Sequence, residues 1–512
     1  MKIPYHLPTF GLAAIAVLLF LTPFPQLSSA QTQPPPHNQL RSGPTHTPLH
    51  GLRTHNIPVL MASDIHFDPF QDPAKVKQLV AAPATQWEAI LATPASPGQQ
   101  QAFDTLQQQC HAKGVDTPYI LLRSSLQAMH TQQSDAQFIT VSGDLIAHAF
   151  SCRYRTLMPQ ATQADYESFV LKTISFVIAN LRASFPGIPV YAALGNNDTG
   201  CGDYQLDPNS DFLTQTGKIL ATGLPASQQA QAIQQFPAGG YYSVTMAAPM
   251  QSTRLIVIND LFLSPKYTTC GSLPNASAAT SEIAWLAQQL ADARKAGQKV
   301  WIMGHIPPGV NPYSTAVKGK NICAKSSPTM FLASDKLSDT MIENSDVIRL
   351  AIFAHTHMDE LRLLKSDSIA SSSDNTVATK AVALKMVPSI SPVDGNNPSF
   401  TIARIDPTTA ILQNYEVFAA SNQTGIGTFW TKEYDFADTY HQPQFSPQTV
   451  SVLIEQFSAD SQAKLQISDA YIHNFFVGDR SLELKPFWSE YVCGLSNVTA
   501  KSFTACVCSN NE

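Results

Sequence analysis

The amino-acid sequence predicts an α/β fold on three observations. Short apolar segments, typical of strands buried on both faces, recur along the chain. Segments with helical periodicity lie between them, as expected where helices cover a sheet. Asp, Asn and His residues directly follow several of the predicted strands. Because α/β proteins bind ligands at the carboxyl ends of strands, this placement predicts a functional site at one sheet edge.

The N-terminal 30 residues are predicted to be a secretory signal peptide. Residues 10–21 form an unbroken apolar segment, and small residues up to Ala30 permit cleavage there. A membrane anchor is the alternative, but the segment is shorter than the roughly 20 residues of a spanning helix. A flexible Pro-rich leader follows at 31–55. We therefore expect a secreted protein without a transmembrane segment in its mature form, with extracellular space, periplasm and acidic organelle left open.

The predicted strands and helices alternate from Ile57 onward. Strands are predicted at 57–62, 138–142, 188–194, 254–259, 299–303 and 348–354, with a β-rich stretch at 380–418 interrupted by a Ser-rich loop at 367–376. One helix is predicted at 163–184. Another is predicted at 281–296, where Gly297 ends an amphipathic segment. Residues 87–109 lack a clear period and are interpreted as an insertion or a loosely packed helix.

The C-terminal part is predicted to be helical and closed by a disulfide. Ser446 provides an N-cap for a helix at 447–457, and a second helix is predicted at 460–476. An even number of cysteines, eight here, favours disulfides in a secreted chain. Cys506 and Cys508 are too close to pair comfortably with each other, so we expect one of them to bond Cys493. The remaining pairings stay open.

The composition and short sequence triplets indicate which partners to expect and where glycans could be attached. The chain has 512 residues, of which 44% are hydrophobic, and a net charge of −6. It contains no Lys/Arg run, so we expect no nucleic-acid scaffold as partner. Asn275, Asn422 and Asn497 begin triplets that accept glycans in a eukaryotic host.

Five short segments carry the candidate chemistry, each after a predicted strand. They are Asp64-Ile-His66, Gly143-Asp144 with His148, Gly195-Asn196-Asn197-Asp198, Gly304-His305 and His355-Thr-His357. Each alone is typical of an ordinary turn or hydrogen-bonded side chain. Five in this order favour a metal site instead. Residues i and i+2 of an extended chain point the same way, so Asp-x-His and His-x-His pairs are expected to reach one ion. Mixed oxygen and nitrogen ligands suit zinc, manganese or iron rather than calcium.

These segments resemble the ordered motifs of the calcineurin-like metallophosphoesterase superfamily. More narrowly, the chain resembles the acid sphingomyelinase-like phosphodiesterases over about 57–508. Supporting stretches are 116–119, His148 after Asp144, 304–309, 395–400, and the segment from Trp430 through Tyr434 to Pro447 with the Cys-rich end. No cysteine precedes Cys110, so we expect no saposin domain like that of acid sphingomyelinase itself, and the chain more closely resembles the shorter, saposin-free relatives.

The resemblance implies a four-layer α/β/β/α sandwich, in which two mixed sheets pack face to face between outer helices. It also implies a catalytic domain at 56–418 and a helical C-terminal subdomain at 419–512. Two divalent metal ions are implied, with zinc favoured and manganese or iron as alternatives. One ion takes Asp64, His66 and His357, the second takes Asn196, His305 and His355, and Asp144 bridges them. Such ions clamp a phosphoryl group and turn a shared water into the attacking hydroxide.

Two positions depart from the superfamily pattern. Ala354 replaces the glycine before His355, with little expected consequence. Asn197 stands where the family usually has the histidine that protonates the leaving oxygen, and Asn cannot deliver a proton. His148 is then the candidate acid. Endopolyphosphatases resemble this chain in their Asn-Asn motif. Because a phosphate leaving group needs an acid less than an alkoxide does, Asn197 favours nucleotide or polyphosphate anhydrides over sphingomyelin.

Two alternative functions remain from the sequence. A sphingomyelin phosphodiesterase needs an apolar platform, for which the candidates are Phe67, Phe70, Phe150 and Tyr204, unless these are core aromatics. A non-catalytic, metal-dependent binding protein is the alternative of another class. We expect a monomer acting on a small phosphorylated substrate such as a nucleotide, polyphosphate or phospholipid head group. The sequence does not identify the substrate-binding residues.

Overall fold

Two six-stranded sheets form the centre of the fold. The computed structural model describes residues 56–324, 326–366, 380–421, 429–478 and 481–509. The strands are β1 (Ile57–Ala62), β2 (Ile139–Val141), β3 (Val190–Ala192), β4 (Tyr242–Thr245), β5 (Thr253–Val257), β6 (Lys299–Met303), β7 (Ile348–Phe353), β8 (Glu360–Lys365), β9 (Ala381–Met386), β10 (Ser399–Ile405), β11 (Leu412–Ala420) and β12 (Trp430–Asp435). The predicted signal peptide, the leader at 31–55 and the Ser-rich loop at 367–376 lie outside the described residues.

Both sheets are mixed. The first has the order β12-β11-β10-β1-β2-β3, in which β1, β2 and β3 are parallel. The second has the order β4-β5-β6-β7-β9-β8, in which β5, β6, β7 and β9 are parallel. Apart from β3, which forms one edge of the first sheet, the parallel strands lie inside the sheets, where continuous apolar runs such as that of β7 are buried.

The two sheets pack against each other through large side chains. Trp301 of β6 is fully buried, lies edge-on to Phe138 beside β2 at 5.8 Å, and donates its indole N–H to the Ala410 carbonyl between β10 and β11. Tyr242 of β4 donates its hydroxyl to the Ala192 carbonyl of β3. With helices on the outer faces, this confirms the predicted α/β/β/α sandwich.

Helices occupy most of the connections. They are α1 (Val76–Ala81), α2 (Trp87–Leu91), α3 (Gln99–Gln109), α4 (Tyr119–Gln132), α5 (Phe150–Leu157), α6 (Gln163–Ser184), α7 (Asp211–Ala221), α8 (Ala226–Gln235), α9 (Ala276–Lys295), α10 (Pro312–Val317), α11 (Lys336–Glu343), α12 (Phe436–Tyr440), α13 (Pro447–Ala459), α14 (Gln466–Phe475), α15 (Trp488–Ser496) and α16 (Ala500–Ser509). None of the helices in the described part of the chain is long and apolar enough to cross a membrane.

Local capping explains where several helices begin. α6 starts as predicted because Thr162 and Asp165 form a reciprocal capping box. α9 starts five residues before the predicted position because the Asn275 side chain accepts the Ser277 N–H there. The helix predicted at 460–476 begins only at Gln466, because the Asp460 carboxylate accepts the N–H groups of Lys464 and Leu465 and turns the chain.

Three other expectations need correction. The stretch at 87–109, interpreted as an insertion or a loosely packed helix, is helical but forms two helices, α2 and α3, and its Trp87 is fully buried rather than loosely packed. Strand β4 was missed because it is a four-residue edge strand. Strand β12 was missed in the segment assigned to the helical subdomain, although it extends the first sheet. The predicted division at 418/419 therefore falls inside β11, and the division into two domains stays a prediction.

Four disulfides link the described cysteines. Cys493 bonds Cys506, which confirms the predicted closure of the C-terminal part, and Cys508 bonds Cys323. Cys110–Cys152 joins the C-terminal end of α3 to α5, and Cys201–Cys270 joins two loops. Of the three glycosylation triplets, the one at Asn422 lies outside the described residues.

Candidate metal centre

The seven predicted metal ligands converge where five strands end. Asp64 and His66 follow β1, Asp144 follows β2, Asn196 follows β3, His305 follows β6, and His355 and His357 follow β7. Donor atoms within 4.8 Å of one another form three overlapping groups, namely His66 with His148 and His357, Asp144 with His305 and His355, and Asp64 with His66 and Asp144. The strand ends of both sheets thus meet at one polar centre.

One half of the centre is formed by Asp64, His66 and His357. The Nε2 atoms of His66 and His357 are 3.1 Å apart, and His357 Nε2 lies 3.4 Å from Asp64 Oδ1. Asp64 and His66 are fully buried, and His357 is nearly so. The three donor atoms therefore face a common point away from solvent.

The other half is formed by Asn196, His305 and His355. His305 Nε2 lies 3.2 Å from Asn196 Oδ1 and 3.3 Å from His355 Nδ1. Asp144 Oδ2 lies between the halves, 3.4 Å from His66 Nε2 and 3.2 Å from His305 Nε2. This position suits a carboxylate that serves both halves.

The donor groups fit divalent cations. His66 and His305 donate their Nδ1–H groups to the carbonyls of Ile146 and Ser142, which directs each Nε2 lone pair into the centre. Asp64 Oδ1 is buried and accepts no hydrogen bond from any described residue. Burial lowers the pKa of His66, but Asp144 and Asp64 outweigh it and raise that pKa to about 9. The centre therefore stabilises positive charge. Divalent ions held there would supply Lewis-acid charge to a phosphoryl group.

Most of the ligands have left-handed backbone. Asp64 and His66 have φ of 44°, Asp144 has 52°, and His355 and His357 have 72° and 67°. Such conformations are unfavourable for non-glycine residues and are typical of functional sites. These i and i+2 pairs are therefore not extended, contrary to the prediction. Asp64 and His66 still belong to one donor group, as predicted, whereas His355 and His357 belong to different groups. The turns, rather than an extended chain, aim these side chains.

Buried carboxylates that the sequence analysis missed support the ligands. Asp198 accepts N–H groups from Gly195, Leu145 and Ile146, and so joins two ligand loops. Burial raises the pKa of Asp198 to about 7. Asp260 accepts the N–H groups of His305 and Ile306, and burial also raises its pKa to about 7.

Asp203 supports a ligand directly, because it accepts the Asn196 Nδ2–H at 2.7 Å and turns the amide oxygen toward the centre. A sequence signal existed for Asp198, inside the Asn-Asn-Asp motif, and for Asp260, just after a predicted strand. The sequence contained no comparable signal for Asp203.

His148 lies beside the first half of the centre. Its ring stacks on His66 with centroids 3.9 Å apart, and its Nδ1–H donates to Asp116 Oδ1 at 2.9 Å. Asp116 is fully buried and also accepts the backbone N–H of His148. Burial favours the neutral Asp116, but His148 outweighs it and holds the pKa of this carboxyl well below its usual range. Asp116 belongs to the 116–119 stretch that carries the family resemblance, but its pairing with His148 was not predicted.

Asn197 points toward Asp144 instead of the open cleft. Its backbone N–H and its Nδ2–H donate to the two Asp144 carboxylate oxygens, each at 2.9 Å. The side chain is buried. The position that usually carries a proton donor is therefore occupied by a group that holds the central carboxylate.

A cleft of about 590 Å³ opens onto the centre. Its lining includes His148, Tyr204, Lys113, Lys266, Tyr313 and Phe331. Burial lowers the pKa of His355 well below its usual range, and the positive charges of His305, Lys266 and Lys113 lower it further. Phe67, Phe70 and Phe150 are buried core residues, so they form no apolar platform. Tyr204 does line the cleft, with its hydroxyl 3.4 Å from His355 Nε2.

A two-sheet sandwich with a cluster of mixed His, Asp and Asn side chains at converging strand ends defines a metal-dependent hydrolase of phosphate esters. The calcineurin-like phosphoesterase family matches residues 57–359. The chain belongs to this family.

Its similarity to curated proteins extends beyond the matched domain. It is 24% identical to acid sphingomyelinase-like phosphodiesterase 3b of Homo sapiens over 405 residues, covering 77% of this chain and 80% of that protein. It is 25% identical to the cyclic GMP-AMP phosphodiesterase of Mus musculus over 406 residues, covering 77% and 82%. Among solved structures, a dimetal phosphatase from Danio rerio is 11% identical with a TM-score of 0.36, covering 76% of this chain and 99% of that one.

Proposed function

We propose that this protein is a secreted enzyme that hydrolyses phosphodiester or phosphoanhydride bonds in small compounds, with nucleotides or polyphosphate favoured. The observation that carries the proposal is the convergence of the seven candidate ligand side chains on one buried centre beside an open cleft. The relative named cyclic GMP-AMP phosphodiesterase supports a nucleotide substrate. Four disulfides and the N-terminal apolar segment support secretion. We expect a monomer.

The proposed ligand sets follow the two halves of the centre. One ion is held by Asp64, His66 and His357, the other by Asn196, His305 and His355, with Asp144 shared. Four imidazoles among seven ligands favour zinc, and manganese or iron are the alternatives.

His148 is the proposed proton donor to the leaving oxygen. It lines the cleft, and its Nδ1 is held by Asp116, so its other nitrogen is free to serve a substrate. Asn197 carries no transferable proton and its amide is engaged by Asp144. The centre therefore has one candidate proton donor, His148, because Asn197 replaces the histidine that would be the second. This favours substrates whose leaving group is itself a phosphate.

The test is a side-by-side hydrolysis panel on purified, zinc-loaded protein. It compares ATP, polyphosphate, bis-p-nitrophenyl phosphate and sphingomyelin at acidic and neutral pH, with Asp144→Ala as the blank. Preference for ATP or polyphosphate, lost in the blank, is the expected result. Preference for sphingomyelin would replace the proposed substrate class. Absence of turnover on every substrate would favour the non-catalytic binding protein.

A further inference from the structure

A lysine lies at the edge of the metal centre without a role in holding it. Lys266 Nζ is 4.6 Å from the centroid of the Tyr204 ring, and the Tyr204 hydroxyl is 3.4 Å from His355 Nε2. One tyrosine therefore separates this ammonium group from a proposed metal ligand. The cation–π contact orients the lysine over the ring while the ammonium group stays accessible from the cleft.

The loop that carries Lys266 is fixed to the loop that carries Tyr204. The Thr268 N–H donates to the Tyr204 carbonyl, and the Leu206 N–H donates to the Thr268 carbonyl. The Cys201–Cys270 disulfide joins the same two loops. Lys266 is thus held in place by its backbone more firmly than an ordinary surface lysine.

Lys113 is a second cation that lines the same cleft. Both lysines are exposed, and the ion pairs formed by Lys and Arg among the described residues involve neither of them. Asp203 also lines the cleft, and its carboxylate accepts a hydrogen bond from the Asn196 side-chain amide. Unpaired ammonium groups at a cleft attract anions and are compact point charges suited to phosphate.

We propose that Lys266, together with Lys113, binds a second phosphate group of the substrate, next to the one that is hydrolysed. The proposal rests on the proposed function, because the metal centre takes the reacting phosphoryl group. A simple phosphodiester has no second anion for these lysines, whereas a phosphoanhydride does. The pair therefore selects substrates with adjacent phosphates.

The experiment measures binding, so it does not depend on turnover. Isothermal titration of the zinc-loaded full chain compares inorganic phosphate with imidodiphosphate, a non-hydrolysable molecule with two linked phosphates. Wild-type protein is expected to bind imidodiphosphate at least about tenfold more tightly than phosphate, because one charge-assisted hydrogen bond from a lysine to the second phosphate contributes about that much affinity. Lys266→Gln, and more so Lys266→Gln with Lys113→Gln, should reduce that ratio by about tenfold. Lys295→Gln, an exposed lysine on α9 outside the cleft, should leave it unchanged.

Two results would overturn the subsite. One is a wild-type ratio near one, and the other is a ratio that survives in the double variant. A failure of the hydrolysis panel with a lysine-dependent ratio intact would refute the proposed function while leaving the two-phosphate subsite in place.

Discussion

Asn197 holds Asp144 by two hydrogen bonds, one from its backbone N–H and one from its side-chain amide, each 2.9 Å long. Asp144 is the carboxylate between the two halves of the metal centre. The side chain at this position therefore orients the shared ligand. Its effect on catalysis is expected through metal binding rather than proton transfer.

Removing the Asn197 amide should weaken metal binding. Asn197→Ala deletes one of the two hydrogen bonds that orient Asp144, and loss of such a supporting group typically costs about tenfold or more in metal affinity. Zinc affinity is measured by competition with a chelator. Asn180→Ala is the control, because that amide donates only to the Phe176 carbonyl on α6. An Asn197→Ala protein with wild-type zinc affinity would contradict this role.

The leaving-group argument predicts the outcome of a substitution at the same position. Asn197→His restores a side chain that can donate a proton, so activity on alkyl phosphodiesters should rise relative to activity on anhydrides. The ratio of the two kcat/KM values is the measurement. An unchanged ratio in a protein that retains its zinc would count against the argument.

His148 should matter more for poor leaving groups. His148→Gln removes the proposed acid, and loss of general-acid catalysis lowers kcat by roughly 10²- to 10⁴-fold. The loss should be large on an alkyl phosphodiester and smaller on ATP, because phosphate leaves without a proton more readily. Zinc content is measured alongside, since His148 stacks on His66. Equal losses on both substrates would indicate that His148 supports the metal centre instead.

The Cys110–Cys152 disulfide encloses both members of the His148–Asp116 pair. The bond closes a segment with a sequence separation of 42, so its loss should destabilise the protein by about 4 kcal/mol. Cys110→Ser with Cys152→Ser should also reduce turnover of alkyl phosphodiesters. The comparison variant is Cys323→Ser with Cys508→Ser, whose bond closes a segment that contains neither His148 nor Asp116. Urea unfolding and the substrate ratio are measured for both. If both double variants changed the ratio of alkyl phosphodiester to ATP turnover equally, the Cys110–Cys152 bond would have no specific role in positioning His148 and Asp116.

Glu282 makes stability depend on pH. Burial raises the pKa of this carboxyl to about 8 from an ordinary value of 4.5, with a smaller contribution from Asp260. Between these values the folded protein keeps a proton that the unfolded chain releases, so Glu282 costs stability progressively as pH rises. Glu282→Gln keeps the acceptor for the Asn259 N–H and lacks the titration. The variant should therefore gain stability relative to wild type between pH 5 and pH 8, by a few kcal/mol at most. A pH-independent difference in unfolding free energy would contradict this.

The sequence was sufficient for features that depend on local patterns. α6 begins and ends at the predicted residues, and Thr162 and Asp165 cap its start. The convergence of the seven candidate ligands was predicted because each follows an apolar strand, whereas their role as ligands was implied by the family resemblance and stays a prediction. Strand β4 was not predicted, because such a short edge strand is stabilised by its pairing with β5 rather than by a pattern in its own sequence.

The supporting contacts of the site could not be predicted from the sequence. Asp116 reaches His148 across 32 positions, and Asp260 reaches the His305 N–H across 45. Such hydrogen bonds depend on how loops are brought together by the two sheets. The left-handed backbone at Asp64 and His66 could not be predicted either, because neither residue is a glycine, the residue type that indicates such a conformation.

The proposed reaction requires two metal ions in the convergent centre. Anomalous diffraction at the zinc edge, from crystals of the zinc-loaded protein, tests it most directly. We predict two peaks about 3.5–4 Å apart, one beside Asp64, His66 and His357 and the other beside Asn196, His305 and His355, with Asp144 in contact with both. A single peak, or peaks away from these side chains, would contradict the account.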